Sequence, residues 1–125
     1  MASAGNAPEY FLNDDPCEEV PYPIYPAQYP GVIGVSGSYQ NEDFVDGWNY
    51  GAQVVDVNAP GATSSAEDDG LMTTCLNNGY LDTGKGTSFS SPQVAALVAM
   101  MKSLNPSLTP AEIEQILEST ADKIG

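Results

Sequence analysis

The sequence predicts an α/β domain on three observations: short β-branched runs bounded by turn residues, helical patterning confined to the C-terminal part, and a length that fits a single core. With 125 residues the chain makes one domain, residues 1–125, rather than two. Seventeen Asp and Glu against three basic side chains leave a formal charge of −14. No basic face can be assembled from that composition, so nucleic acid is excluded as a partner and an anionic membrane surface is disfavoured. A hydrophobic content of 42% is that of a folded protein rather than an acidic disordered tail. No run approaches the ~18 apolar residues of a membrane span, and no basic start followed by an apolar stretch reads as a signal peptide. The chain has no histidine. Any step that needs an imidazole must take it from outside these residues.

Residues 1–30 are rich in Pro and acidic side chains and read as loop. Within them Pro21-Tyr22-Pro23-Ile24-Tyr25-Pro26 is expected to be extended, because each residue before a proline is pushed out of the helical region. Two β-branched runs follow, Val32-Ile33-Gly34-Val35 and Val54-Val55-Asp56-Val57, each predicted as a buried strand. Asn58-Ala59-Pro60-Gly61 is expected to stop the second, and residues 62–70 to form a small polar loop. A strand pair is predicted over 71–76 and 80–83, turned by Asn77-Asn78-Gly79. Cys17 and Cys75 match no close-spaced metal motif, and without His a zinc site would need more thiols than exist. They leave two readings open: one long-range disulfide, or two separate buried thiols.

Two helices close the chain. The first is expected from near Ser88 to Leu104, and its segment Val94-Ala95-Ala96-Leu97-Val98-Ala99-Met100-Met101 is apolar all round. Such a helix must be covered on every side, which a few strands and one further helix do not achieve. That favours a place inside something larger; self-association through this helix is the second reading. The other helix is announced by Thr109-Pro110-Ala111-Glu112, an N-cap Thr, a Pro at the first helical position and a Glu placed for a capping box. Ile113, Ile116, Leu117 and Ile124 fall on one face, so this helix packs on a surface.

Chemistry concentrates at Gly84-Lys85-Gly86-Thr87-Ser88-Phe89-Ser90-Ser91-Pro92, immediately before the apolar helix. The glycines let the backbone turn and allow close approach. Ser88 falls at the helix N-terminus, where free N–H groups and the dipole favour negative charge. A serine there can attack a carbonyl while its own N–H helps hold the resulting oxyanion. From the local spacing alone, however, Thr87 or Ser88 reads first as an ordinary N-cap.

The wider pattern changes that balance. Gly86-Thr87-Ser88-Phe89-Ser90-Ser91-Pro92 followed by Val94-Ala95-Ala96 resembles the active-site serine signature of the subtilisin-like serine proteases (peptidase S8). Ala4-Gly5-Asn6 is similar to the motif carrying that family's oxyanion-hole asparagine. Residues 25–35, Asn49-Tyr50-Gly51 with 55–61, and the terminal stretch 105–125 resemble further family segments in the same order, so the resemblance covers essentially the whole chain. It implies Ser88 as nucleophile and Asn6 as the side-chain donor that joins the Ser88 N–H on the oxyanion. Ser3, Ala4 and Gly5 would line one edge of the substrate pocket, and Gly86, Thr87 and Phe89 would stand beside the scissile bond. Phe89 occupies a place where the family usually has Met, and Gln93 one where it usually has His.

The family's catalytic Asp and His lie upstream of its oxyanion asparagine. The resemblance therefore implies that residues 1–125 are the C-terminal half of a doubly wound, mainly parallel sheet, with a buried central helix starting at Ser88. The whole protein is expected to be a secreted, extracellular serine endopeptidase acting on peptides or proteins through an acyl-enzyme, with no cofactor required. Its other partner is the N-terminal half of the domain, and this chain alone is expected to be inactive. Lys85 precedes Ser88, unlike the Ser-x-x-Lys order of lysine-assisted enzymes. The resemblance also suggests a structural calcium or sodium ion on the carbonyls of Ala27, Tyr29 and Val32 with the Asp56 carboxylate. Asp14-Asp15, Glu18-Glu19 and Glu67-Asp68-Asp69 match no spaced calcium loop and read as solvated surface. Two alternatives stand beside the protease: a non-catalytic subtilisin-like binding or structural module, and an acid-active sedolisin-type relative using a Glu base and an oxyanion Asp, against which Asn6 speaks.

Overall fold

The central strand keeps only Gly34 and Val35 of its β-branched run and continues through Ser36-Gly37-Ser38. The computed structural model describes residues 1–6, 24–52, 54–64 and 70–123. Cys17, the three acidic clusters, Pro21-Tyr22-Pro23 and Ile124 lie outside the described residues. In chain order the elements are β1 (Ala2–Ser3), β2 (Gly34–Ser38), β3 (Val57–Pro60), β4 (Leu71–Cys75), a 3-10 turn (Leu76–Asn78), β5 (Gly79–Gly84), α1 (Thr87–Leu104) and α2 (Pro110–Thr120). β1, β2 and β3 lie side by side and parallel, with Ala2 opposite Gly34 and Val35 opposite Val57. β4 and β5 form a separate antiparallel hairpin.

β2 and β3 both start later than their β-branched runs suggest. Every residue of β2, Gly-Val-Ser-Gly-Ser, is buried. A methyl group on Gly34 would overlap the Val54 carbonyl, and one on Gly37 would overlap the Trp48 ring. Close neighbours thus select small residues over high-propensity ones. In the second run the Val54 and Val55 N–H groups both donate to the Gly51 carbonyl, at 3.1 and 3.0 Å, so these residues close a turn. Asn58-Ala59-Pro60, expected as the stop, is strand instead. Pro60 is tolerated because β3 is an edge strand among the described residues.

The hairpin and α2 follow their local signals. Asn77 and Asn78 turn β4 into β5 with φ of 60° and 57°, a conformation that Asn accepts readily. Thr109 caps α2 by accepting from the Glu112 N–H, while the Glu112 carboxylate accepts from the Thr109 N–H at 2.7 Å. Ile113 and Leu117 are buried, and Ile116 stands at the rim. These two meet Val94 of α1 and Ile33, Val35 and Val57 of the sheet in the main core.

The apolar helix α1 is not enclosed. It buries Thr87, Ser90 and Val94, whereas Met100 is 59% exposed and Leu104 88%. A three-stranded sheet covers one side of an 18-residue helix and leaves the far half bare. No helix among the described residues is long and apolar enough to cross a membrane. Cys75 on β4 is half-buried, and no thiol among the described residues partners it.

The single Trp sits in a slot opened by small residues. Positions where Gly37 and Gly61 would carry a Cβ adjoin both the Trp48 ring and the Ser90 hydroxyl, the latter at 2.8 and 2.6 Å. Ser90 is 0% exposed and its hydroxyl has no hydrogen-bond partner among the described residues. A buried unsatisfied hydroxyl costs about 1–3 kcal/mol. Ser90→Ala is therefore expected to be neutral or to stabilise by up to about 1 kcal/mol in denaturant melts. A second expectation concerns acid. The Glu112 carboxyl is held below its ordinary range by hydrogen bonds from the Thr109 N–H and then the Thr109 hydroxyl. A lowered folded value means stability that is present above the unfolded value and is lost as pH falls through the folded one. The stability difference between the wild type and Glu112→Gln should thus be seen near neutrality and shrink away in acid melts.

Candidate functional site

The end of β1 points at the beginning of α1. The Ala4 N–H donates to the Val35 carbonyl at 2.8 Å, the last ladder bond on this edge of β2. At Gly5 the backbone takes φ 100° and turns away, delivering Asn6 to the helix tip. There the Gly5 N–H donates to Thr87 Oγ1 at 3.1 Å, and Asn6 Oδ1 accepts from the Thr87 N–H at 2.9 Å and from the Thr87 hydroxyl at 2.8 Å. The amide of Asn6 is thereby fixed by its oxygen, and Nδ2 is left to point away.

It points into the space beside Ser88. Asn6 Nδ2 and Ser88 Oγ lie 2.6 and 3.2 Å from the one point where a Cβ on Gly86 would stand. Gly86 leaves that space open, with φ 135° and its own N–H given to the Gly61 carbonyl at 3.0 Å. Gly86, not Thr87 or Ser88, is the N-cap of α1, and no side chain caps the helix from that position. The Ser88 hydroxyl is thus exposed rather than engaged as a cap, and the Ser88 N–H carries no backbone hydrogen bond among the described residues. An amide donor and a hydroxyl converge at a helix N-terminus beside the unpaired Ser88 N–H, an arrangement suited to holding negative charge on an oxygen next to Ser88.

Other residues named from the sequence take different places. Thr87, expected beside the scissile bond, is 1% exposed and spends its hydroxyl inward on Gly5 and Asn6. It orders the site from behind and does not face solvent. Ala4, expected on the pocket edge, is fully buried in a small cluster with Ala2, Ala27 and Val54. Ser3, Gly5 and Phe89 are half-buried. The Phe89 ring packs on β5, 2.7 Å from where a Gly84 Cβ would stand. Gln93 ties α1 to β3, donating to the carbonyls of Pro60 at 2.7 Å and Phe89 at 2.8 Å.

Of the residues named for a cation, Tyr29 accepts through its carbonyl from the Val32 N–H at 3.0 Å, and Asp56 Oδ2 accepts from the Gly34 N–H at 2.7 Å. The Asp56 carboxylate also gathers with Glu114 and Glu118 of α2, their oxygens within 4.8 Å of one another. That grouping joins residues far apart in the chain, so no spacing announces it.

Asn49 was legible only as part of a family-like strand-and-turn segment, yet it stands behind the site. It is 2% exposed, donates from Nδ2 to the Ala4 carbonyl at 2.7 Å and from its N–H to the Gly5 carbonyl at 3.1 Å. Its own carbonyl accepts from the Ser36 hydroxyl of β2 at 2.6 Å.

Comparison with known proteins gives one consistent answer. The Subtilase family profile (peptidase S8) matches residues 1–125. Alkaline elastase YaB of a Bacillus strain is 34% identical over 101 residues, 81% of this chain and 24% of that protein. Subtilisin BL of Lederbergia lenta is 33% identical over 101 residues, 81% of this chain and 34% of its own. Among solved structures, a protease of Pseudoalteromonas arctica superposes with a TM-score of 0.71 at 33% identity, over 80% of this chain and 32% of that one. A cold-adapted subtilisin-like serine proteinase gives 0.66 at 28% identity, over 79% and 33%. The chain spans between 24% and 34% of the length of these two curated relatives.

The opening at Gly86 can be tested directly. In Gly86→Ala the new methyl group would stand 2.6 Å from Asn6 Nδ2 on a backbone at φ 135°. The substitution is expected to cost about 1–3 kcal/mol in denaturant melts and to shift the Asn6 side-chain amide resonances.

Proposed function

Because the chain belongs to the subtilase family, we propose that it carries the nucleophile and the oxyanion-binding donors of a serine endopeptidase. The observation that carries this reading is the convergence of Asn6 Nδ2 and Ser88 Oγ on the open space at Gly86. In the reaction, Ser88 Oγ attacks the carbonyl carbon of a peptide bond and its proton passes to a base. The carbonyl oxygen becomes an oxyanion, which accepts hydrogen bonds from Asn6 Nδ2 and the Ser88 N–H. Collapse of the tetrahedral intermediate breaks the C–N bond, the amine leaves with the proton, and an ester on Ser88 remains. Water then attacks that ester in the same geometry and releases the acid.

The base is not among these residues. Histidine is absent, so in this reading the imidazole that takes the Ser88 proton, and the carboxylate that orients it, come from outside the 125 residues. The isolated chain is then inactive. Substrates are peptides or proteins, the reaction needs no metal or cofactor, and an extracellular setting accords with the charge of −14.

The test uses the protein that carries this chain together with its base-bearing residues. It should hydrolyse a peptide substrate and be labelled at Ser88 by a serine-directed phosphonate, and Ser88→Ala should lose both. Asn6→Ala should lower kcat by about 100- to 1,000-fold, the established cost of losing the matching donor in a subtilisin. A folded protein that neither cleaves peptides nor takes the label at Ser88 would overturn the protease and leave a binding or structural module.

A further inference from the structure

We propose that Asn49 is a positioning residue of this site, acting through the turn that presents Asn6; the inference rests on the protease reading above. The parallel ladder between β1 and β2 ends at Ala4, whose N–H takes the Val35 carbonyl. The next two carbonyls, of Ala4 and Gly5, have no strand partner among the described residues, and Ala4 is fully buried. Asn49 satisfies both, the first with its side-chain amide at 2.7 Å and the second with its backbone N–H at 3.1 Å. One residue thus extends the pairing of β1 across the last peptide units before Asn6. The clamp is itself seated on β2 through the 2.6 Å bond from the Ser36 hydroxyl to the Asn49 carbonyl.

The fit leaves no slack. A Cβ on Gly5 would stand 2.8 Å from Asn49 Nδ2, so the turn lies directly against the amide. From the other side Thr87 holds the Gly5 N–H and the Asn6 oxygen. The turn is therefore gripped between two residues, Thr87 at the helix tip and Asn49 behind the strand. Removing the Asn49 amide leaves the buried Ala4 carbonyl unsatisfied and one side of the grip open. Asn6 Nδ2 then wanders relative to Ser88. Because oxyanion stabilisation depends on donors fixed in advance, displacement of about 1 Å is felt mainly in the chemical step.

The test is a double-mutant cycle on peptide hydrolysis, in the protein that carries this chain together with its base-bearing residues. Asn49→Ala should lower kcat by about 10- to 100-fold with KM within about twofold of wild type. In the Asn6→Ala background the same substitution should cost almost nothing further, since Asn49 acts through Asn6. Thr109→Ala, a lost helix cap remote from the turn, controls for destabilisation and should leave kcat unchanged. Should Asn49→Ala fail to fold, Asn49→Asp has nearly the same volume, lacks the amide donor and carries the same expectation. Unchanged kcat in the Asn49 variant, or costs that add fully to those of Asn6→Ala, would overturn the positioning role while leaving the protease intact. A wild type that does not hydrolyse peptides would overturn the protease reading, and this inference with it.

Discussion

The site depends on one side-chain oxygen. Asn6 Oδ1 takes two donors from Thr87, the backbone N–H and the hydroxyl, and this is what gives the Asn6 amide a direction. The same bonds answer a need of the helix. A helix start leaves its first N–H groups without partners, and Gly86 at the N-cap has no side chain to offer. Asn6, 81 residues away in the chain, supplies the missing cap from the end of β1. Capping α1 and aiming Nδ2 are thus one arrangement, and neither can be lost without the other.

That coupling ties the site to the sheet. β1 is only two residues long, yet it fixes the turn because its ladder bonds to β2 and the grip of Thr87 act on consecutive peptide units. Glycine is required at two points for different reasons. Gly5 bends the chain at φ 100° toward the helix, and Gly86 keeps the space beside Ser88 empty. A larger residue at either point would press on an amide nitrogen, Asn49 Nδ2 in one case and Asn6 Nδ2 in the other.

What was legible in the sequence is what local chemistry decides. The Asn-Asn-Gly turn and the Thr109 capping box are set by neighbours a few residues away, and the fold keeps them. Strand limits were not legible, because β2 owes its glycines to Trp48 and Val54, which reach it from elsewhere in the chain. The pairing of Ser88 with Asn6 was readable only through resemblance to a family, since no spacing rule links residues so far apart. The burial of Thr87 and Ala4 was not legible for a related reason: motif membership does not say which residues face solvent and which hold the others in place. Asn49 was legible only as one member of a family-like segment, because a single polar residue in such a stretch gives no hint of burial.

The chemistry divides along the same lines. Holding an oxyanion calls for donors that are fixed before charge develops, and such donors cost no reorganisation during the reaction. Asn6 on the β1 edge and the Ser88 N–H at the tip of α1 meet that requirement, since both are carried by backbone that the sheet and helix immobilise. Taking the Ser88 proton calls for the opposite, a group that changes its protonation within the working pH range. Neither donor is titratable, and no imidazole exists in the chain to share that task. Under the protease reading the pH dependence of the reaction belongs to the base supplied from outside these residues. What this chain contributes is the geometry in which that base is used.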